Sequence, residues 1–177
     1  DAAELNKANY VRTAAGALVS FGFPHNEIDN LRLSPGYQHI WIDTTDSTPT
    51  EILNDLAQNG ETYDQITFDA SWARDSRNRA IFPTSGGLNQ IVGEFALPGS
   101  TAEFYKLSYR GIAYFPFARW LTWSVGGEVG YGDGYGDSDG LPFFENLYAG
   151  VLRSVRGYKA NTLGPRYSND EPSGGAF

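Results

Sequence analysis

The sequence predicts an all-β fold, with the antiparallel strands of a transmembrane β-barrel. Three observations predict it. Six stretches alternate apolar and polar residues with period two, the signature of a strand with two different faces. Each runs for about 10 to 14 residues, the length of a tilted membrane-crossing strand rather than the usual 5 to 6. The polar parity is mostly Gly, Ser, Thr and Gln with charges of both signs, as in a barrel lumen.

The composition agrees. The chain has 177 residues, 21 of them glycine, with 15% aromatics and no cysteine. Disulfides, thiolate zinc sites and cysteine nucleophiles are therefore excluded. Two histidines, His25 and His39, offer little for a metal site. The net charge of −8 argues against nucleic acid as a partner, which calls for a basic stripe. No apolar run reaches the roughly 18 residues of a spanning helix, and barrels do not need one.

The strands come in order. Tyr10 to Phe23 sets Val11, Val19, Phe21 and Phe23 against Arg12, Gly16 and Ser20. Leu31 to Trp41 sets Leu31, Leu33, Tyr37, His39 and Trp41 against Arg32, Ser34 and Gln38. Tyr63 to Arg74 sets Ile66, Phe68, Ala70 and Trp72 against Gln65, Thr67, Asp69 and Ser71. Leu88 to Leu97 sets Ile91, Phe95 and Leu97 against Gln90 and Glu94, with Val92 out of phase. Phe104 to Phe115 sets Tyr105, Leu107 and Tyr109 against Lys106, Ser108 and Arg110. Trp120 to Tyr131 sets Leu121, Trp123, Val125 and Val129 against Thr122, Ser124 and Glu128. Phe21, Phe23, Tyr37, Trp41, Trp72 and Tyr131 are expected near strand ends, as an interfacial girdle. Arg12, Arg32, Lys106 and Arg110 should point inward with Asp69 and Glu94, balancing the lumen charge.

The connectors differ in kind. Pro24 to Asn30 and Pro116 to Arg119 are short, and Asp75 to Gly87 is longer and turn-rich. Those after Asp43, Pro98 and Gly132 are assigned to the exterior, where barrels keep their long loops. Thr48-Pro49-Thr50-Glu51 reads as a capping box with proline at the first helical position. A helix near 49–58 follows, with Ile52, Leu53 and Leu56 as its apolar stripe and Asn59-Gly60 as its end.

Two motifs resemble chemistry. Gly136-Asp137-Ser138-Asp139-Gly140 has the spacing of a nucleophile elbow, but Pro142 follows where the elbow needs a helix. Asp133, Asp137 and Asp139 lack the terminal bidentate Glu of a calcium loop and read as a solvated acidic turn. No phosphate-binding loop is present, so no catalytic residue, cofactor or metal is assigned. Residues 141–150 are different. Pro142, Phe143, Phe144 and Tyr148 are too apolar for a solvated loop. A loop of this kind must pack against something, here the lumen, tethered by Arg156 beside the tight turn at Gly157.

Val155-Arg156-Gly157-Tyr158 resembles the signature of the outer-membrane assembly and translocation superfamily. Phe82-Pro83-Thr84-Ser85-Gly86, Tyr131-Gly132-Asp133-Gly134 and Leu141-Pro142-Phe143-Phe144-Glu145 are similar to its other blocks. Phe21-Gly22-Phe23-Pro24, Leu97-Pro98-Gly99-Ser100 and Asn161-Thr162-Leu163-Gly164-Pro165 are similar to its insertase branch. One departure is Val151 after Gly150, where the family often has a second glycine.

The resemblance implies a sixteen-stranded barrel of the Gram-negative outer membrane, preceded by POTRA repeats. This chain would supply strands six to eleven (residues 1–131) and most of the sixth exterior loop (132–177), with Gly175, Ala176 and Phe177 opening the next strand. It further implies a non-enzymatic insertase of the BAM complex. The implied partners are nascent β-barrel clients, the lipid bilayer, and accessory lipoproteins that bind through the absent POTRA domains. It makes Val155, Arg156, Gly157 and Tyr158 the functional loop motif, with Arg156 paired to an acid on a later strand. Rival readings are a sibling translocation or secretion transporter, a passive channel, and a soluble carbohydrate-binding β-sandwich.

Overall fold

The computed structural model describes residues 10–136, 138, 140–147, 165–169 and 173–174. They form one antiparallel sheet. The strands are β1 (Tyr10–Leu18), β2 (Phe21–Pro24), β3 (Asp29–Thr44), β4 (Thr62–Asp75), β5 (Gly86–Ala96), β6 (Phe104–Ala118) and β7 (Leu121–Gly134). Helix α1 (Thr50–Asn59) sits between β3 and β4, and a single 3-10 turn, Phe143–Glu145, follows β7. The sheet order is β1-β3-β4-β5-β6-β7, with β2 also on β3. Among the described residues the sheet stays open.

The first expected strand is divided in two, and Pro35 on β3 supplies the reason. Leu18 faces Gly36 and Phe21 faces Leu33, so the register is continuous across the gap. Val19 N–H donates to the Pro35 carbonyl at 3.0 Å, but proline has no N–H to return. The two pieces therefore act as one strand, and six strand positions make the sheet. At the other end β6 carries an irregularity between Pro116 and Ala118, which lets it continue to Ala118 beyond the expected end at Phe115.

Directly opposed residues of an antiparallel ladder share a face. One rung reads Phe23, Leu31, Trp72, Ile91, Tyr109, Val129 across all six positions. A neighbouring rung on the opposite face reads Ser34, Asp69, Glu94, Lys106, Gly132. The alternation therefore assembles into one apolar outer face and one polar inner face. Val92 lies on the inner face between Ser71 and Ser108, which explains its phase. Tyr37 departs from the girdle expectation, because it sits in the middle of β3 and donates to Asp64.

The buried apolar core is at one end of the sheet. Ile40 and Ile42 of β3, Tyr63 of β4, Ile52 and Leu56 of α1, Ala102 and Phe144 form it, with Tyr10, Phe143 and Tyr167 packed against it. We call this the loop end, and the end with the β2–β3, β4–β5 and β6–β7 connections the turn end. Leu53 was expected in the helix stripe but is exposed. The capping box does not form either. Pro49 is itself the cap residue, without a side-chain cap bond. The Thr48 hydroxyl instead accepts from Thr45 N–H at 2.7 Å. Glu51 turns to Ser168, accepting from its N–H at 3.0 Å and its hydroxyl at 2.9 Å. The other end forms as expected, with Gly60 at φ 86° donating its N–H to the Leu56 carbonyl.

Candidate functional site: a loop clamped to the inner face

The inner face of β7 is bare at its loop end. Beyond Glu128, Gly130, Gly132 and Gly134 alternate with outward-facing residues and leave that part of the face without side chains. A Cβ on Gly134 would lie 2.4 Å from the Gly140 carbonyl oxygen. A Cβ on Gly130 would sit 3.2 Å from a Leu147 methyl. The glycines thus let the chain after β7 turn back and lie along the strand it has just left.

That return brings Phe143–Glu145 onto the inner face. The 3-10 turn is closed by Glu145 N–H donating to the Pro142 carbonyl at 2.9 Å. Phe143 meets Tyr10 edge-on at 5.1 Å and Phe144 meets Tyr63 at 4.8 Å, so both anchor the loop end core. Glu145 is 8% exposed, and its two carboxylate oxygens go to different strands. Arg12 Nη2 of β1 donates to Oε1 at 2.8 Å, and Lys106 Nζ of β6 donates to Oε2 at 2.5 Å. Lys106 also reaches Glu94 at 2.8 Å. Arg12 lies over the Phe144 ring, 5.5 Å from its centroid.

On a flat sheet β1 and β6 are four spacings apart, about 19 Å. One carboxylate touches cations from both, so the sheet curls around it. The arrangement has two positive and two negative groups in direct contact, and Asp69 lines the same cavity of about 510 Å³. Truncating one member of such a buried set strands its partners, which typically costs about 3–5 kcal/mol.

The predicted residues are distributed as follows. Pro142, Phe143 and Phe144 lie at the 3-10 turn, where Phe144 belongs to the buried cluster and Phe143 packs against it. Arg12, Lys106, Asp69 and Glu94 all share the inner face. Arg32 and Arg110 belong to that face too, with Arg110 4.0 Å from Glu128. Tyr148 and the motif Val155, Arg156, Gly157 and Tyr158 lie outside the described residues, as do Asp137 and Asp139. Ser138 accepts a hydrogen bond from Glu103 N–H at 2.9 Å, a structural contact.

Glu145 is the residue that sequence reasoning missed as a site. A signal was present: it is the one charged residue in the apolar stretch from Leu141 to Gly150. A carboxylate in a segment that must be buried needs a cationic partner.

Comparison with known proteins agrees with this architecture. The description "Omp85 superfamily domain" matches residues 2–176. The outer membrane protein assembly factor BamA of Neisseria meningitidis serogroup B is 33% identical over 165 residues, 89% of this chain and 21% of that protein. A crystal structure of BamA from Haemophilus ducreyi lacking POTRA domains 1–3 superposes with a TM-score of 0.85 at 22% identity. That match covers 94% of this chain and 36% of the other, so the present chain spans only a fraction of either relative. The family match runs along nearly the whole sequence that forms this sheet of six long strand positions and its returning loop: the chain belongs to the Omp85 superfamily.

Proposed function

We propose that this chain forms part of the wall of an outer-membrane insertase, which folds other β-barrels and inserts them into the outer membrane. The observation that carries the proposal is the pairing of the two faces. One is apolar across every strand, and the other is polar and holds its own loop by buried charge. An apolar face of this extent is stable against hydrocarbon, and barrels pair every backbone group before entering it.

On this reading residues 1–131 contribute a partial barrel. Residues 132–177 form an exterior loop folded toward the lumen, and the turn end faces the periplasm. The work is non-covalent. Client strands carry unpaired N–H and C=O edges, and the insertase lowers the barrier to bringing those edges into lipid. Its partners are the clients, the bilayer, and accessory lipoproteins acting through POTRA domains outside this chain. Arg156 with Val155, Gly157 and Tyr158 braces the loop a second time, beyond the Glu145 clamp.

The test uses the full-length parent reconstituted in vesicles, with a radiolabelled barrel client. Glu145→Gln and Arg156→Ala should each slow client insertion, and the double variant should slow it further. Wild-type insertion rates in both variants would overturn the proposal. A steady ionic conductance without insertion would favour a passive channel.

A further inference from the structure

We infer that Asn146 is a positioning residue of the insertase. It closes the neck of the long exterior loop and so fixes where the Val155–Tyr158 motif is delivered. The inference rests on the insertase reading, with Arg156 as its brace.

Three consecutive residues leave the 3-10 turn in three directions. Glu145 takes the cations of β1 and β6. Leu147 lies over the bare part of β7, where a Cβ on Gly130 would come within 3.2 Å of its methyl. Asn146, between them, crosses to the far end of the loop. Its Nδ2 donates to the Ser173 carbonyl at 2.8 Å. Its backbone has left the turn, at φ −56° and ψ 142°.

Ser173 is held on its other side too. Its N–H donates to the Pro165 carbonyl at 2.9 Å, and Gly174, buried at φ +69°, turns the chain after it. The residues between Pro165 and Ser173 are tied in turn to the first exterior loop. Ser168 binds Glu51 of α1, Asn169 Nδ2 reaches the Ser47 carbonyl at 3.3 Å, and Tyr167 packs against the loop end core. Asn146, Ser173 and Pro165 thus make one run of hydrogen bonds across the neck.

Residues 148–164, which carry the motif, enter at Leu147 and leave at Pro165. A stretch of that length could reach about 60 Å at full extension. Pinning both ends removes the conformations that would carry its middle away from the wall. Glu145 holds only the first end, and Asn146 brings the second end to it. Among residues 141–150 Asn146 is the one neutral amide. A hydrocarbon side chain in its place would leave the Ser173 carbonyl without that donor.

The test uses the full-length parent in vesicles and reads the rate of client insertion. Rates are taken per folded barrel, counted by the heat-sensitive gel mobility of the closed barrel, so poor folding of a variant does not enter. Asn146→Ala should slow insertion about three- to tenfold, the worth of one hydrogen bond. Asn146→Asp, nearly isosteric but facing the carbonyl with an acceptor, should slow it at least as much. In an Arg156→Ala background the same substitutions should change the rate by less than about twofold, because a motif without its arginine has nothing left to position. A purely structural role would slow both backgrounds by equal factors. That outcome overturns the inference, as do wild-type rates in both Asn146 variants. Wild-type insertion in Arg156→Ala alone overturns the reading of the motif on which the inference stands.

Discussion

The two ends of the sheet solve different problems. The loop end has an interior: Ile40, Ile42, Ile52, Leu56, Tyr63 and Phe144 exclude water as the core of a soluble domain does. The turn end has none. Its four most prominent apolar side chains, Ile81, Phe82, Phe117 and Trp120, are 74%, 86%, 81% and 84% exposed. Polar groups hold its turns locally. Asn78 Oδ1 accepts from Thr84 N–H and Ser85 N–H, and Arg77 grips Asp75 with two donors. Phe82 takes φ +52°, the one positive φ outside glycine among the described residues. The difference teaches where each end finds its stabilisation. The loop end is held by the protein itself, and the turn end waits for an amphipathic surface to cover its aromatics.

The sharpest way to break this contrast is to hollow the loop end. Phe144→Ala should remove about 3–5 kcal/mol from the loop end packing. It should expose residues 43–62 to limited proteolysis while the strands keep their circular dichroism. An equal loss of strand signal would show that the two ends are not energetically separate.

The clamp comes next. Glu145→Gln leaves the loop packed but removes the charge shared by Arg12 and Lys106. Urea unfolding in micelles should register about 3 kcal/mol or more for the loss of a buried partner. In double-mutant cycles the coupling of Glu145 to Lys106 should exceed that to Arg12, because the Lys106 side chain is 16% exposed and that of Arg12 is 34%. Equal couplings would mean that burial does not rank the two contacts.

At the turn end Trp120→Ala should alter unfolding in detergent by no more than about 0.5 kcal/mol, as an exposed change does. The same variant should bind vesicles more weakly in a flotation assay. Unchanged flotation would remove the membrane from the explanation.

The smallest effect concerns Glu51. Hydrogen bonds from its own backbone N–H and from Ser168 hold its carboxyl below the usual glutamate range. A depressed folded-state pKa stabilises above the ordinary value and ceases to do so as pH falls through the depressed one. Amide exchange at Ser168, taken relative to the intrinsic rate at each pH, should therefore quicken on acidification through that range, and Glu51→Gln should flatten the dependence. Acceleration that is unchanged in Glu51→Gln would place the titrating group elsewhere.

Much of the wall was legible because strand faces follow parity. Period two alone put Arg12, Asp69, Glu94 and Lys106 on one face and Leu31, Trp72, Ile91, Tyr109 and Val129 on the other. Gly60 was legible as a helix end, since its φ demands glycine. The helix start was not. Thr48 and Glu51 have the right spacing for a capping box, but each found a partner elsewhere, Glu51 with a residue more than a hundred positions away. The break at Val19 and Ser20 was illegible for the same reason, because the proline that causes it lies on the neighbouring strand.

By itself, then, the sequence determined the strands, their two faces, the position of the helix and the need for the 141–150 stretch to be buried. Each of these follows from residues near one another in the chain, through backbone geometry and hydropathy. Only the tertiary structure decided that Glu145 joins Arg12 to Lys106, that Ser168 takes Glu51, and that Asp29 meets Arg74. Those pairings depend on sheet curvature and on where a loop returns. Both are sums over many residues, which no local pattern records.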